Sequence, residues 1–145
     1  MTLEGEFEPS PTKWVRDQVD EIARTGDTRS VSVMDRPVVL LTMRGASSGR
    51  IRKVPLMRVE HDGDFLAVAS KGGAPEHPAW YHNLLSHPEI ELQDGTESWS
   101  ARARVVEEGA ERAAWWERAV AAYPPYAEYQ TKTDRLIPLF VLEKI

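Results

Sequence analysis

The chain has 145 residues, no cysteine and five tryptophans, with 18 basic against 23 acidic side chains for a net charge of −5. That length suits one domain with a self-sufficient core, and 41% hydrophobic with 28% charged residues excludes wholesale disorder. The missing cysteine excludes disulfides, thiolate nucleophiles and thiolate-ligated metals, the acidic balance speaks against a nucleic-acid partner, and no apolar run is long enough to span a bilayer.

Met1 to Ser10 is acidic, shows no signal-peptide pattern and reads as a loose arm, so the cytoplasm is the expected location. Ser10 followed by Pro11 predicts a helix start with Ser10 as its cap. Val15, Val19, Ile22 and Ala23 recur at helical spacing, and Gly26 offers a stop. Residues 1–36 are thus expected as an arm and one amphipathic helix, and 37–145 as the body of a single domain. Val38 to Met43 reads as a short strand, followed by a Gly/Ser turn through Gly49. A second strand is expected from Ile51 to His61, and Asp62-Gly63 as a hairpin turn into Asp64–Ser70.

Lys71-Gly72-Gly73-Ala74-Pro75 reads as a loop, and Pro78 opens a short helix that ends before Pro88. Trp80 with Leu84, and Tyr81 with Leu85, form neighbouring apolar stripes on it. Asp94-Gly95 joins Glu89–Gln93 to Thr96–Val106, where Trp99, Ala101, Ala103 and Val105 alternate with polar residues as in a half-buried strand. A helix follows from Ala110 to Tyr123 with Trp116, Ala119, Val120 and Tyr123 on one face. Pro124-Pro125 breaks it, Tyr126–Thr133 adds a short helical piece, and Ile137–Leu142 closes the chain as an apolar strand. Pro138 puts the start of that strand at an edge or bulge. About six antiparallel strands with amino-terminal and inserted helices define an α+β fold, and a twisted sheet of this size tends to close into a small barrel.

Three segments carry candidate chemistry. Arg44, Arg50, Arg52 and Lys53 surround the Gly/Ser turn, and Lys71 opens the Gly-Gly loop; if these loops meet, they suit a phosphate or polycarboxylate. Each alone also reads as a solvated turn. On the helix after Pro78, His82 and Asn83 suit the edge of a ring, whereas Trp80 and Leu84 also read as plain core. Tyr123, Tyr126 and Tyr129 recur at intervals of three beside the Pro-Pro break, an arrangement for placing hydroxyls on one side of a pocket or for aromatic packing. No metal site is expected, because His77, His82 and His87 are five apart and point in different directions on a helix.

Together these segments resemble the deazaflavin-dependent nitroreductase family, actinobacterial oxidoreductases that use coenzyme F-420. The matching text runs from Leu41-Thr42 through Gly49-Arg50-Ile51-Arg52-Lys53-Val54-Pro55-Leu56, Ala69-Ser70-Lys71-Gly72-Gly73-Ala74 and His77-Pro78-Ala79-Trp80-Tyr81-His82-Asn83-Leu84. It continues through Tyr123-Pro124-Pro125-Tyr126-Ala127-Glu128-Tyr129-Gln130 and Thr133-Asp134-Arg135 to Ile137-Pro138. The resemblance implies a split β-barrel and hydride transfer from the reduced deazaflavin to a quinone, activated enone or nitroaromatic. It implies cofactor contacts from Arg52, Ser70, Lys71, Gly72, Gly73 and Ala74. An apolar ring wall would come from Pro55, Leu56 and Met57, with Trp80 and Asn83 close by. Tyr126, Tyr123, Tyr129 and Ser70 are the implied catalytic hydroxyls, Tyr126 the first choice. The cofactor's phosphate and polyglutamate tail is anionic, which accounts for basic loops on an acidic protein. Ala46-Ser47 stands where the family commonly carries Arg-Lys, so Arg44 and Arg50 are expected to supply that charge. A related FMN-dependent barrel and a non-catalytic carrier of the deazaflavin or a porphyrin-like ligand are the competing readings. The expected partners are a small-molecule substrate and, among proteins, a second copy of the chain. The amino-terminal helix is too acidic for a firm membrane anchor, which leaves at most weak membrane association.

Overall fold

The first strand, β1 (Val38–Arg44), shows no apolar-polar alternation because both its faces are covered. A computed structural model describes residues 3–145 and explains this. Val39, Leu41 and Met43 point into the interior of a curled sheet, while Leu40 meets Val15, Val19 and Ile22 of helix α1 (Lys13–Thr25) outside it. Helix α1 starts two residues later than Ser10-Pro11 suggests, with Thr12 at the cap. The Ser10 hydroxyl instead accepts the Thr12 N–H at 3.1 Å, and the Ser10 carbonyl accepts from Arg16 at 2.9 Å. Gly26 ends the helix in the left-handed conformation, and Ala23, one step off the buried stripe, is exposed.

Strand β2 (Ile51–Met57) pairs with β1 from Arg44 opposite Ile51 to Val38 opposite Met57. The single strand expected through His61 is broken at Arg58-Val59. Beyond the break, β3 (Glu60–His61) pairs with β4 (Asp64–Val68). The described residues form one antiparallel sheet of seven strands, with β5 (Glu89–Asp94), β6 (Glu97–Val105) and β7 (Leu139–Lys144), in the order β2-β1-β5-β6-β7-β4-β3. Strands β2 and β3 therefore lie on opposite edges, and a continuous strand could not serve both. Val59 is buried at the crossing, and Arg58 anchors it to Asp94 through two hydrogen bonds of 2.9 and 3.0 Å.

Strand β7 is central, so Pro138 stands just before it rather than within it, its carbonyl accepting from Ala69 at 3.0 Å. Phe65, Ala67, Phe140 and Leu142 face the interior. Leu66, Val68, Leu139 and Val141 face helices α3 (Ala110–Ala122) and α4 (Pro125–Thr131). On α3 the buried indole is Trp115, with Trp116 only half-buried, because Trp115 shares the packed face with Ala119. Helix α2 (Ala79–Ser86) buries Leu84 and packs Trp80 and Tyr81 against the core but leaves Leu85 48% exposed, so the second of its two expected stripes is core only at Tyr81. Strands β2 and β4 approach without pairing, which leaves the barrel split along that line.

Candidate cofactor groove

A groove of about 890 Å³ opens along the split. One wall is β2 from Arg52 to Met57; the facing wall is the end of β4 with Ser70, Lys71 and Gly72. The beginning of α2, including Trp80, His82 and Asn83, and the three tyrosines Tyr123, Tyr126 and Tyr129 complete it. Residues Ala46–Ser48 line the same cavity, so the Gly/Ser turn and the Gly-Gly loop do meet in space.

The loop after β4 owes its shape to backbone conformation. Lys71, Gly72 and Gly73 all have positive φ, at 47°, 64° and 83°. A Cβ on Gly72 would meet nothing, whereas one on Gly73 would lie 2.7 Å from the Tyr129 carbonyl oxygen. Gly73 therefore allows the loop to pass against α4 and lies behind the groove rather than lining it. Ala74 is also behind it. Arg135 clasps the loop there, donating to Ala74 O at 2.9 Å, Ala69 O at 3.1 Å and Ser70 O at 2.8 Å. It also lies 3.0 Å from His77 Nδ1. A guanidinium only donates, so Nδ1 accepts and the ring proton is on Nε2. Burial, with Arg135 and His82 nearby, holds the His77 pKa below its usual value.

On the facing side, Tyr123 and Tyr129 hydroxyls bond to each other at 2.9 Å, which together with partial burial pushes the Tyr129 phenol up to about 12. Tyr126 is only 6% exposed; burial first, then the neighbouring tyrosines, raise its pKa well above the ordinary phenol range. Neither the Tyr126 hydroxyl nor the Ser70 hydroxyl hydrogen-bonds to the described protein, although both residues line the groove. Asn83 also lines it, but its Oδ1 already accepts from the Ala46 N–H at 2.9 Å and its Nδ2 faces Met43 Sδ at 3.7 Å, so it braces the turn. Pro55, Leu56, Met57 and Trp80 give the groove its apolar faces.

Arg44 and Arg50 are outside the groove. Arg44 donates to Gly49 O and Glu4 O at 2.8 and 2.9 Å, and Arg50 pairs with Glu6 and Glu8. The amino-terminal segment contributes to the groove without a local motif that marks it. Glu8, Ser10, Pro11, Thr12, Trp14 and Val15 all line the cavity. The available signal was Trp14, an indole off the buried stripe of α1 and 54% exposed. Arg135 was visible as a motif residue but not as the loop's clasp. Among the described residues no cluster of three His, Asp or Glu side chains could hold a metal ion.

An apolar slot in a split barrel, between a β wall and three phenols and bordered by a loop of left-handed residues and three cations (Arg52, Lys53 and Lys71), suits a flat ring ligand with an anionic arm. Comparison with known proteins refines that class. The profile of the F-420H(2)-dependent quinone reductase family matches residues 14–144, and the chain belongs to this family. The F-420H(2)-dependent quinone reductase Rv1261c of Mycobacterium tuberculosis is 34% identical over 110 residues, covering 74% of each chain. A solved structure described as an F-420-H2 dependent reductase (FDR-A) is 58% identical, with a TM-score of 0.70 over 78% of this chain and 99% of its own. Another, described as a domain-swapped dimer, is 56% identical, with a TM-score of 0.72 over 92% of this chain and all of its own. The cofactor of the family is coenzyme F-420, and the residues on the groove fit it: a flat apolar wall for the ring, two unpartnered hydroxyls, and cations for the tail.

Proposed function

We propose that this protein reduces quinones with coenzyme F-420, with activated enones and nitroaromatics as further acceptors. The observation that carries this reading is the pair of unpartnered hydroxyls, Ser70 and Tyr126, on almost fully buried residues that line one apolar groove. When bound, the reduced cofactor supplies a hydride, and a quinone takes it with one proton to become a hydroquinone. Pro55, Leu56, Met57 and Trp80 hold the planar reactants and exclude water. Ser70, Lys71, Gly72 and Arg52 hold the anionic part of the cofactor, and Gly73, Ala74 and Arg135 keep the loop in the shape that permits it. Tyr126 donates a hydrogen bond to the quinone oxygen as negative charge builds there, and Tyr123 and Tyr129 orient one another beside it. A hydroxyl held this way serves catalysis rather than carriage.

A second copy of the chain is the protein partner we favour, by likeness to the domain-swapped relative. The cytoplasm is the favoured location, in keeping with the cysteine-free, acidic composition. No helix among the described residues is long and apolar enough to cross a membrane. The test is a titration with oxidised coenzyme F-420 and with FMN, followed by stopped-flow oxidation of the reduced cofactor by menadione. Micromolar or tighter F-420 binding, weaker FMN binding and rapid oxidation are expected. Tight FMN with no response to F-420 selects the FMN reading, and F-420 binding without oxidation by any acceptor selects the carrier.

A further inference from the structure

Three cations line the groove, and in this structure none faces it unengaged. Lys71 lies 3.3 Å from Glu76 on its own loop. The other two are neighbours on β2, and neighbouring residues of the amino-terminal arm take them. The Lys53 ammonium sits 5.8 Å from the Phe7 ring centre, and Arg52 Nη1 donates to Glu8 Oε2 at 2.6 Å. The arm is laid along the edge of β2 by two backbone hydrogen bonds, Ile51 N–H to Glu6 O at 2.8 Å and Glu8 N–H to Ile51 O at 2.9 Å. Glu8 thus places a carboxylate of this chain on the one arginine that lines the groove.

We propose that Glu8 competes with the anionic end of the cofactor for Arg52: its carboxylate occupies the guanidinium, and a cofactor tail reaches it by displacing Glu8. This inference rests on the cofactor reading of the groove. The exchange is feasible because Glu8 has a second partner. Its Oε1 lies 3.2 Å from Arg50, which is about half exposed and points outside the cavity. A small swing leaves Glu8 paired with Arg50 while Arg52 is handed to the ligand, so the carboxylate is never stranded. The Arg52–Glu8 pair is itself only partly exposed, at 28% and 33%, and such pairs contribute modestly. A ligand that brings phosphate or several carboxylates can compete for the guanidinium, while a neutral ligand leaves the pair undisturbed. The arm consequently lowers affinity for a charged tail and leaves recognition of the ring alone.

The experiment is a fluorescence titration of the full chain with oxidised coenzyme F-420 and with its tail-less deazaflavin riboside, which lacks phosphate and glutamates. Glu8→Gln keeps the shape and removes the charge. It is expected to tighten F-420 binding by about two- to fivefold, the size of one partly exposed ion pair, and to leave riboside affinity unchanged. In an Arg52→Gln background the same Glu8 substitution is expected to give no gain, because the guanidinium over which arm and tail compete is gone. An F-420 affinity that is unchanged or weakened by Glu8→Gln overturns the proposal, as does an equal gain for the riboside. A gain that persists without Arg52 overturns it too, since that is only the long-range effect of one less negative charge. If the parent protein binds neither ligand, the cofactor reading fails and the proposal with it; binding by the parent with no gain in the variant removes the proposal alone.

Discussion

Replacing Tyr126 by phenylalanine deletes one oxygen from the wall of the groove and nothing from the protein's own hydrogen bonding. The ring is 6% exposed and packs against Tyr123 at 4.9 Å between centroids, contacts that phenylalanine keeps. Folding stability should therefore change by less than about 0.5 kcal/mol. In turnover the oxygen counts for more, because a hydrogen bond to a charged acceptor contributes about 1.5–3 kcal/mol, or roughly ten- to 150-fold in rate. The raised pKa keeps the hydroxyl protonated, so the role proposed for it is to donate a hydrogen bond, with the proton coming from solvent. At saturating cofactor the Tyr126-dependent part of the rate should be flat from about pH 6 to 9. The folded-state pKa lies above the unfolded value of about 10, so the group's contribution to stability is complete below that pH and is lost as pH rises through the folded pKa. The assay is stopped-flow oxidation of reduced F-420 by menadione, with a cofactor titration and a thermal melt for each variant. A variant that oxidises the cofactor at the parent rate refutes the role of the hydroxyl. A loss of cofactor affinity as large as the loss of rate refutes its being specific to the transition state.

Arg135→Ala leaves three loop carbonyls without their donor and should lower stability by about 2–4 kcal/mol, since water replaces only part of what is lost; Arg135→Lys should restore a minor share, and urea unfolding with F-420 titration measures both. Gly73→Ala meets the Tyr129 carbonyl at 2.7 Å as well as an unfavourable φ, so we expect a loss of about 2–4 kcal/mol, against about 1 kcal/mol for Gly72→Ala, where only φ objects; equal shifts in thermal melts would contradict the packing argument. The depressed pKa of His77 means that stability present above the ordinary imidazole pKa, about 6.5, is lost as pH falls through the lower folded value. F-420 affinity measured from pH 5 to 8 should weaken on the acid side in the parent and flatten in His77→Gln. Tyr129→Phe removes the hydrogen bond to Tyr123 and should slow turnover less than Tyr126→Phe in the same stopped-flow assay.

The order of elements was legible along the chain because each is marked by local chemistry. Examples are the 3.6-residue recurrence of Val15, Val19 and Ile22, the two-residue alternation around Ala101 and Ala103, and the Asp-Gly turns at Asp62-Gly63 and Asp94-Gly95. Part of the groove was legible for the same reason: Ser70-Lys71-Gly72 and the three tyrosines are short, unusual clusters, whereas the amino-terminal lining around Glu8 and Trp14 is not. Decisions between distant segments were not legible. Nothing local to Arg58-Val59 says that the chain leaves one sheet edge for the other; that follows from β2 pairing with β1 and β3 with β4. Pro138 likewise precedes a central strand, a fact set by the neighbours of β7.

What the sequence by itself determined was which groups are available: hydroxyls, cations and an apolar wall on a cysteine-free chain. What only the tertiary structure decided was which of those groups are free. Arg44, Arg50, Arg52 and Lys53 look alike in sequence, yet the first two are turned away and the last two are covered by the arm. Gly72 and Gly73 are adjacent and identical, yet one faces open space and the other a carbonyl oxygen. The physical reason is that charge and conformational freedom belong to a residue, whereas exposure and partnership belong to a position in space. That position is set by strand pairings and contacts from segments as far apart as residues 8 and 52 or 74 and 135.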